Sequence, residues 1–236
     1  MALVPVLALA GCGRDDDSFV ILAASSLTDT GAQLADAFAQ DEADDEATLD
    51  FAGSNVLVTQ VVEGRRADVL LTADAASMQR AVDADAVVGQ PVVFARNRLT
   101  IVVPTGNPAG IVGLDDLSDS DHVVAICGPD VPCGRLTTDL LDTTGVEITA
   151  ATLDPSVRSV LTRVQAGSVD AGIVYVTDAR AAGSSVDTIE LPVGTSGTTP
   201  YLAAAVAPST QAMEFVTFLL SDRAQQILAG AGFEQP

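Results

Sequence analysis

From Phe19 to the C-terminus, short apolar runs alternate with longer segments whose apolar residues recur every three or four positions. Phe19 to Ala24, Thr48 to Ala52, Asp68 to Thr72, Leu99 to Val103, Val123 to Cys127, Ala171 to Tyr175 and Tyr201 to Ala207 read as strands. Thr28 to about Gln40, Ser54 to Glu63, Ser77 to Ala84, Gly134 to Asp142, Val157 to Ala166, Ala212 to Leu220 and Arg223 to Ala229 read as helices. A βαβα rhythm of this kind calls for a largely parallel sheet with helices on its faces. Two crossovers, near Leu99 and in the small-residue linker Gly194 to Pro200, divide the pattern. The expected fold is therefore α/β with two lobes, each a mixed, mostly parallel sheet flanked by helices. Residues 19–98 and 200–236 form lobe 1, and 99–199 form lobe 2. Ligands of open α/β sheets sit beyond the carboxyl ends of the strands, which puts the cleft between the lobes.

Four segments occupy those strand ends: Ala23-Ala24-Ser25-Ser26-Leu27-Thr28, Phe51-Ala52-Gly53-Ser54-Asn55, Val131-Pro132-Cys133-Gly134-Arg135 and Gly172-Ile173-Val174-Tyr175. The first three also open helices, where unpaired backbone N–H groups bind anions. The chain carries a formal net charge of −21. Any anion it holds is therefore held by local dipoles and not by overall attraction. Taken singly, Ser26 and Ser54 read as ordinary helix caps, Tyr175 as a core aromatic and Cys133 as structural. Their joint occurrence at strand ends of a two-lobe chain points to an oxyanion receptor.

The same composition excludes other classes. An acidic chain repels nucleic acid. All 11 basic residues are Arg, so a Walker A loop, a Schiff-base lysine and a Ser-x-x-Lys nucleophile are ruled out. His122 is the single histidine and follows a polar loop, and no Gly-x-Ser-x-Gly elbow is present. A serine hydrolase is thus a poor alternative, and no enzyme activity is expected. No metal is expected on side-chain ligands.

Residues 1–18 read as a signal segment and tether. Leu9-Ala10-Gly11 before Cys12 resembles a bacterial lipobox, with Cys12 as the lipid-bearing residue, although no basic residue precedes the apolar run. Such an anchor puts the domain on the outer face of the cell membrane, tethered by lipid only. Nearby thiols pair in that oxidising compartment, so Cys127 and Cys133 are expected to form a disulfide across a Gly/Pro loop. Zinc is the competing reading and lacks two further ligands.

At this point the chain resembles the periplasmic molybdate-binding proteins of ABC transporters, within the type II solute-binding fold. Ala24-Ser25-Ser26-Leu27-Thr28 and Phe51-Ala52-Gly53-Ser54 look like the family's first two oxyanion loops. Ala67-Asp68-Val69-Leu70-Leu71-Thr72-Ala73-Asp74 is similar to its Ala-Asp-x-x-x-Ser-Ala-Asp stretch, and Val131-Pro132-Cys133-Gly134 to its third loop. Asp154-Pro155-Ser156-Val157-Arg158 sits where the family opens a helix with Val-Arg, and Gly172-Ile173-Val174-Tyr175 with Thr177-Asp178-Ala179 is the most specific match. The resemblance implies a molybdate site. Ser26 and Ser54 would supply hydroxyl and backbone donors, Cys133 and Val157 backbone N–H groups, and Tyr175 its phenol. Asn55 departs from the pattern, standing where others carry a small hydroxyl residue. The resemblance also implies ABC permease and ATPase partners, a monomer and no cofactor.

Donors alone suit a fully deprotonated dianion and disfavour phosphate, whose proton needs an acceptor. Tungstate and sulfate share that property, so a receptor for either is the alternative, with sulfate set apart only by cavity size. A sensory or adhesion module on the same fold is a further alternative.

Overall fold

The computed structural model describes residues 18–42, 47–149, 152–192, 194–195 and 197–236. Cys12 and its lipobox lie outside the described residues. The first half runs β1 (Val20–Ala24), a 3-10 turn (Ser25–Leu27), α1 (Thr28–Glu42), β2 (Thr48–Ala52), α2 (Ser54–Val62), β3 (Val69–Thr72) and α3 (Ala75–Asp83). Parallel pairing places β1 between β2 and β3. β4 (Val88–Pro104) leads to the second series: β5 (Val124–Cys127), α4 (Pro132–Thr144), β6 (Thr152–Asp154), α5 (Val157–Gln165), β7 (Ala171–Tyr175), α6 (Val176–Ala182) and β8 (Val186–Ile189). Here β5 lies between β6 and β7, again in parallel. The chain ends with β9 (Thr198–Ala205), α7 (Thr210–Phe218) and α8 (Asp222–Ala231). Strand order across the sheet is β2-β1-β3-β9-β4-β7-β5-β6, with β8 on β4. The architecture is the expected two-lobe mixed α/β fold.

Each series buries its own apolar residues. One core gathers Ile101, Val124, Val160 and Ile173 around β5 and β7. The other half has Leu22, Leu57 and Leu70 on one face of its sheet. On the opposite face Phe38 packs edge-on against Phe215, ring centroids 5.2 Å apart, with Phe19 and Phe218 beside them. Burying each such side chain contributes roughly 1.5–3 kcal/mol.

The two halves share one strand. Residues Val88 to Arg98 of β4 pair with β9, and from Leu99 to Val102 the same strand pairs with β7. Sequence patterning finds only Leu99 to Val103 of this 17-residue strand. Upstream, Val88, Gly89 and Gln90 are exposed and Pro91 interrupts the run, so the apolar signal fades where the backbone pairing does not. The short strands β6 and β8 are likewise absent from the pattern. Part of the expected linker, from Thr198, already belongs to β9. α3 starts at Ala75 and not at Ser77, because the Asp74 carboxylate accepts the Ser77 N–H at 2.9 Å and caps the helix two residues earlier.

Candidate oxyanion site

Helix caps separate the molecule's helices into two kinds. α3, α5, α7 and α8 are capped by Asp74, Ser156, Ser209 and Ser221, each of whose side chains accepts a first-turn N–H. The turn leading into α1, and α2 and α4, are preceded by Ala24, Gly53 and Val131, which give no side-chain cap. These uncapped starts meet at one small void. It is lined by Ala24, Ser25, Ser26, Gly53, Ser54 and Ala73 from one lobe and by Val131, Pro132, Cys133, Val157 and Tyr175 from the other. Its volume is about 10 Å³, the scale of one water-sized body. Among the described residues lining it, none is charged.

All five residues singled out from the sequence, Ser26, Ser54, Cys133, Val157 and Tyr175, line this void. Neither serine caps a helix. Ser54 is the first residue of α2, and its Oγ accepts the Ala73 N–H at 3.1 Å, which leaves its proton to be donated. Ser26 Oγ lies 2.6 Å from the Tyr201 hydroxyl. Tyr175 ends β7 at 1% exposure, and its hydroxyl has no hydrogen-bond partner. A buried orphan hydroxyl costs about 1–3 kcal/mol, so its presence beside the void marks a place where a partner is received. Burial pushes the Tyr175 phenol well above the usual tyrosine range, which keeps it a neutral donor.

Cys133 is fixed from behind. It is disulfide-bonded to Cys127, at the end of β5, with a Cα–Cα distance of 5.8 Å. Gly134 follows because a Cβ there would stand 1.9 Å from the Gly128 carbonyl oxygen. The loop is thus closed tightly over the start of α4. Val157 is the first residue of α5, while Ser156 Oγ accepts the Ser159 N–H at 3.2 Å.

The lobes touch around the void. A Cβ on Gly53 would lie 2.6 Å from the Pro155 carbonyl oxygen of the opposite lobe. Arg135 Nε donates to Asp74 Oδ2 at 2.6 Å, and Arg158 Nη1 to Asp29 Oδ2 at 2.8 Å. Both pairs join one lobe to the other; Arg158–Asp29 is partly exposed, where such a pair contributes about 0–1 kcal/mol, whereas Asp74 is buried. Arg158 therefore faces a carboxylate and not the void. Asp178, at 1% exposure, lies 3.7 Å from the same guanidinium, and neither of its oxygens has a hydrogen bond. Burial pushes its carboxyl up to about 7 against the opposing pull of Arg158. Asn55 does not line the void, and its buried Oδ1 is unpartnered. His122 also lies apart from it, with Nδ1 2.8 Å from the Asp116 carbonyl oxygen.

Tyr201, Asn97 and Thr177 form the polar layer behind Ser26 and escape sequence reasoning as site residues. Tyr201 opens an apolar run and reads simply as strand. Only Thr177, within the Thr177-Asp178-Ala179 stretch, carries a sequence cue.

Residues 19–234 match the sequence profile of the bacterial extracellular solute-binding proteins. The chain is 33% identical over 235 residues to the molybdate-binding protein ModA of Mycobacterium tuberculosis, covering 98% of this chain and 90% of the relative. Its fold matches the periplasmic molybdate-binding protein of Azotobacter vinelandii with a TM-score of 0.79 at 19% identity, over 93% of this chain and all of that one (100%). It matches the sulfate-binding protein SubI of M. tuberculosis with a TM-score of 0.81 at 22% identity, over 92% and 86% of the two chains.

Proposed function

The chain belongs to the bacterial extracellular solute-binding proteins, and on that premise we propose that it captures molybdate as the intact oxyanion and delivers it to an ABC permease and its ATPase. One observation carries the reading. Uncapped helix starts, two serine hydroxyls and the orphan phenol of Tyr175 surround a single uncharged void between the lobes. Such a set offers donors to all four oxygens of a tetrahedral dianion and supplies no counter-charge. The 33% identical ModA relative supports molybdate as the ion.

Ser26, Ser54 and Tyr175 donate O–H groups, and Cys133 and Val157 donate backbone N–H groups. Each hydrogen bond to a charged partner contributes about 1.5–3 kcal/mol. Five of them cover the ~8 kcal/mol of micromolar binding after ordering costs. The helix starts add roughly 0.3–1 kcal/mol apiece. Because the donors come from both lobes, the bound ion stabilises the shut form over the open one. Tungstate has the same shape and charge and is expected to bind as well. Lipid attachment at Cys12, suggested by the Leu9-Ala10-Gly11-Cys12 stretch, would hold the monomeric receptor at the outer face of the membrane. The proposed role is binding, with no reaction catalysed.

Titration calorimetry with molybdate, tungstate, sulfate and phosphate tests the reading. Molybdate is expected to bind in the micromolar range or tighter, and Ser54→Ala and Tyr175→Phe each to weaken it by about tenfold or more with the fold intact. Absence of molybdate binding, or unchanged affinity in both variants, overturns it.

A further inference from the structure

Behind Ser26 a chain of hydrogen bonds runs back to β4, and its polarity is set by the backbone. Asn97 is 1% exposed, and its Oδ1 accepts the Arg98 N–H at 2.9 Å. That bond fixes the amide: were it flipped, its NH₂ would face another donor. Nδ2 therefore points the other way, donating to Thr177 Oγ1 at 2.8 Å and to the Tyr201 hydroxyl at 3.3 Å. An amide NH₂ donates only. The Tyr201 oxygen thus receives, and its own proton goes to its other partner, Ser26 Oγ, at 2.6 Å. Tyr201 is fully buried at 0% exposure, and burial raises its phenol far above the usual range, so that proton stays in place. Ser26 accepts from Tyr201 and has its own proton left for the void.

The geometry points to Asn97 and Tyr201 as positioning residues that polarise Ser26, so that it offers the bound oxyanion a donor in preference to an acceptor. The chemical consequence is selectivity. A bare serine hydroxyl turns to accept a proton from hydrogen phosphate as readily as it donates to molybdate. A serine with one lone pair held by Tyr201 has its own proton free for the void and a single lone pair left, which favours an ion with no proton to give. The Ala73 N–H likewise occupies a lone pair of Ser54. Asn97 lies on β4, next to the point where the strand passes from one lobe to the other. The relay is therefore anchored in the framework and not in a mobile loop. This assignment rests on the oxyanion reading above.

The test is a double-mutant cycle in titration calorimetry near neutral pH. The proteins are wild type, Tyr201→Phe, Ser26→Ala and the double variant, each titrated with molybdate, sulfate and inorganic phosphate. Tyr201→Phe is expected to lower molybdate and sulfate affinity by about five- to tenfold while phosphate affinity holds or rises, so the molybdate-to-phosphate ratio falls. In the Ser26→Ala background the same change is expected to have no further effect, because the hydroxyl it orients is gone. Should Tyr201→Phe melt early, Asn97→Ala, which leaves the Tyr201 ring in place, carries the same expectations. An additive loss in the double variant, or an equal loss for all three anions, shows a purely structural role and overturns the assignment. If wild type binds molybdate and the cycle is additive, the relay fails and the receptor reading stands. If wild type binds none of the three anions, both fall together.

Discussion

Gly53→Ala is the sharpest probe of how the void shuts. Gly53 has φ −60° and ψ 138°, a backbone conformation open to any residue, so alanine fits its own lobe's main chain. The new Cβ stands 2.6 Å from the Pro155 carbonyl oxygen and 2.7 Å from Asn55 Oδ1, where ordinary contact begins at 3.4 Å. The Asn55 side chain can rotate away. The Pro155 carbonyl belongs to the opposite lobe's backbone and yields only if the lobes part by about 0.8 Å at that seam. Overpacking of this size costs about 1–3 kcal/mol. That is about 5- to 150-fold in affinity, charged to the shut form alone. The expected outcome is an unliganded melting temperature within about 2 °C of wild type, a much smaller molybdate-induced rise in it, and calorimetric affinity reduced by that factor. Molybdate affinity within about twofold of wild type, with the full thermal shift, refutes the reasoning, because the liganded form would then not bring Gly53 against Pro155.

Two further predictions come from neighbouring features. Replacing both Cys127 and Cys133 by alanine removes the brace behind the third loop while leaving the Cys133 backbone N–H in place. Thermal or denaturant unfolding should show a loss of about 2 kcal/mol, and calorimetry a weaker molybdate affinity; unchanged binding would show that Gly134 and Pro132 hold the loop unaided. Asp178 carries a folded-state carboxyl raised to about 7 from an ordinary 3.8. The native form therefore binds the proton more tightly than the unfolded chain, so stability falls as pH rises from about 4 to 7 and levels off above. Asp178→Asn should flatten that decline, with its melting temperature gaining on wild type at pH 8 relative to pH 5. Parallel melting curves for the two proteins across that range count against it.

The fold was legible where burial and periodicity coincide. β1, β3, β5 and β7 are apolar on both faces because helices cover them, and such runs stand out in any reading of the chain. β4 was only half visible, since its first part is held by pairing with β9 and carries exposed and charged residues. Ser26, Ser54, Cys133 and Tyr175 were found in segments that follow apolar runs, positions the local pattern marks, whereas Val157 follows the unmarked β6 and was reached through the family resemblance alone. Their chemistry was less legible. Spacing alone makes Ser54 a helix cap, whereas it takes the N–H of Ala73, just past the end of β3. Tyr201 lies 175 residues from Ser26 along the chain, and no periodicity relates them. The Asp74–Arg135 and Asp29–Arg158 pairs are similarly long-range.

The strand common to both lobes governs how they move apart. The β4–β9 ladder keeps its register from Ala95–Tyr201 to Arg98–Thr198, and at the next residue β4 is already zipped to Tyr175. Along β4 no slack peptide separates the halves, so opening there is absorbed as a bend spread over hydrogen-bonded backbone. Every release of cargo then returns the same two walls to the same alignment, and the receptor starts each cycle already aimed.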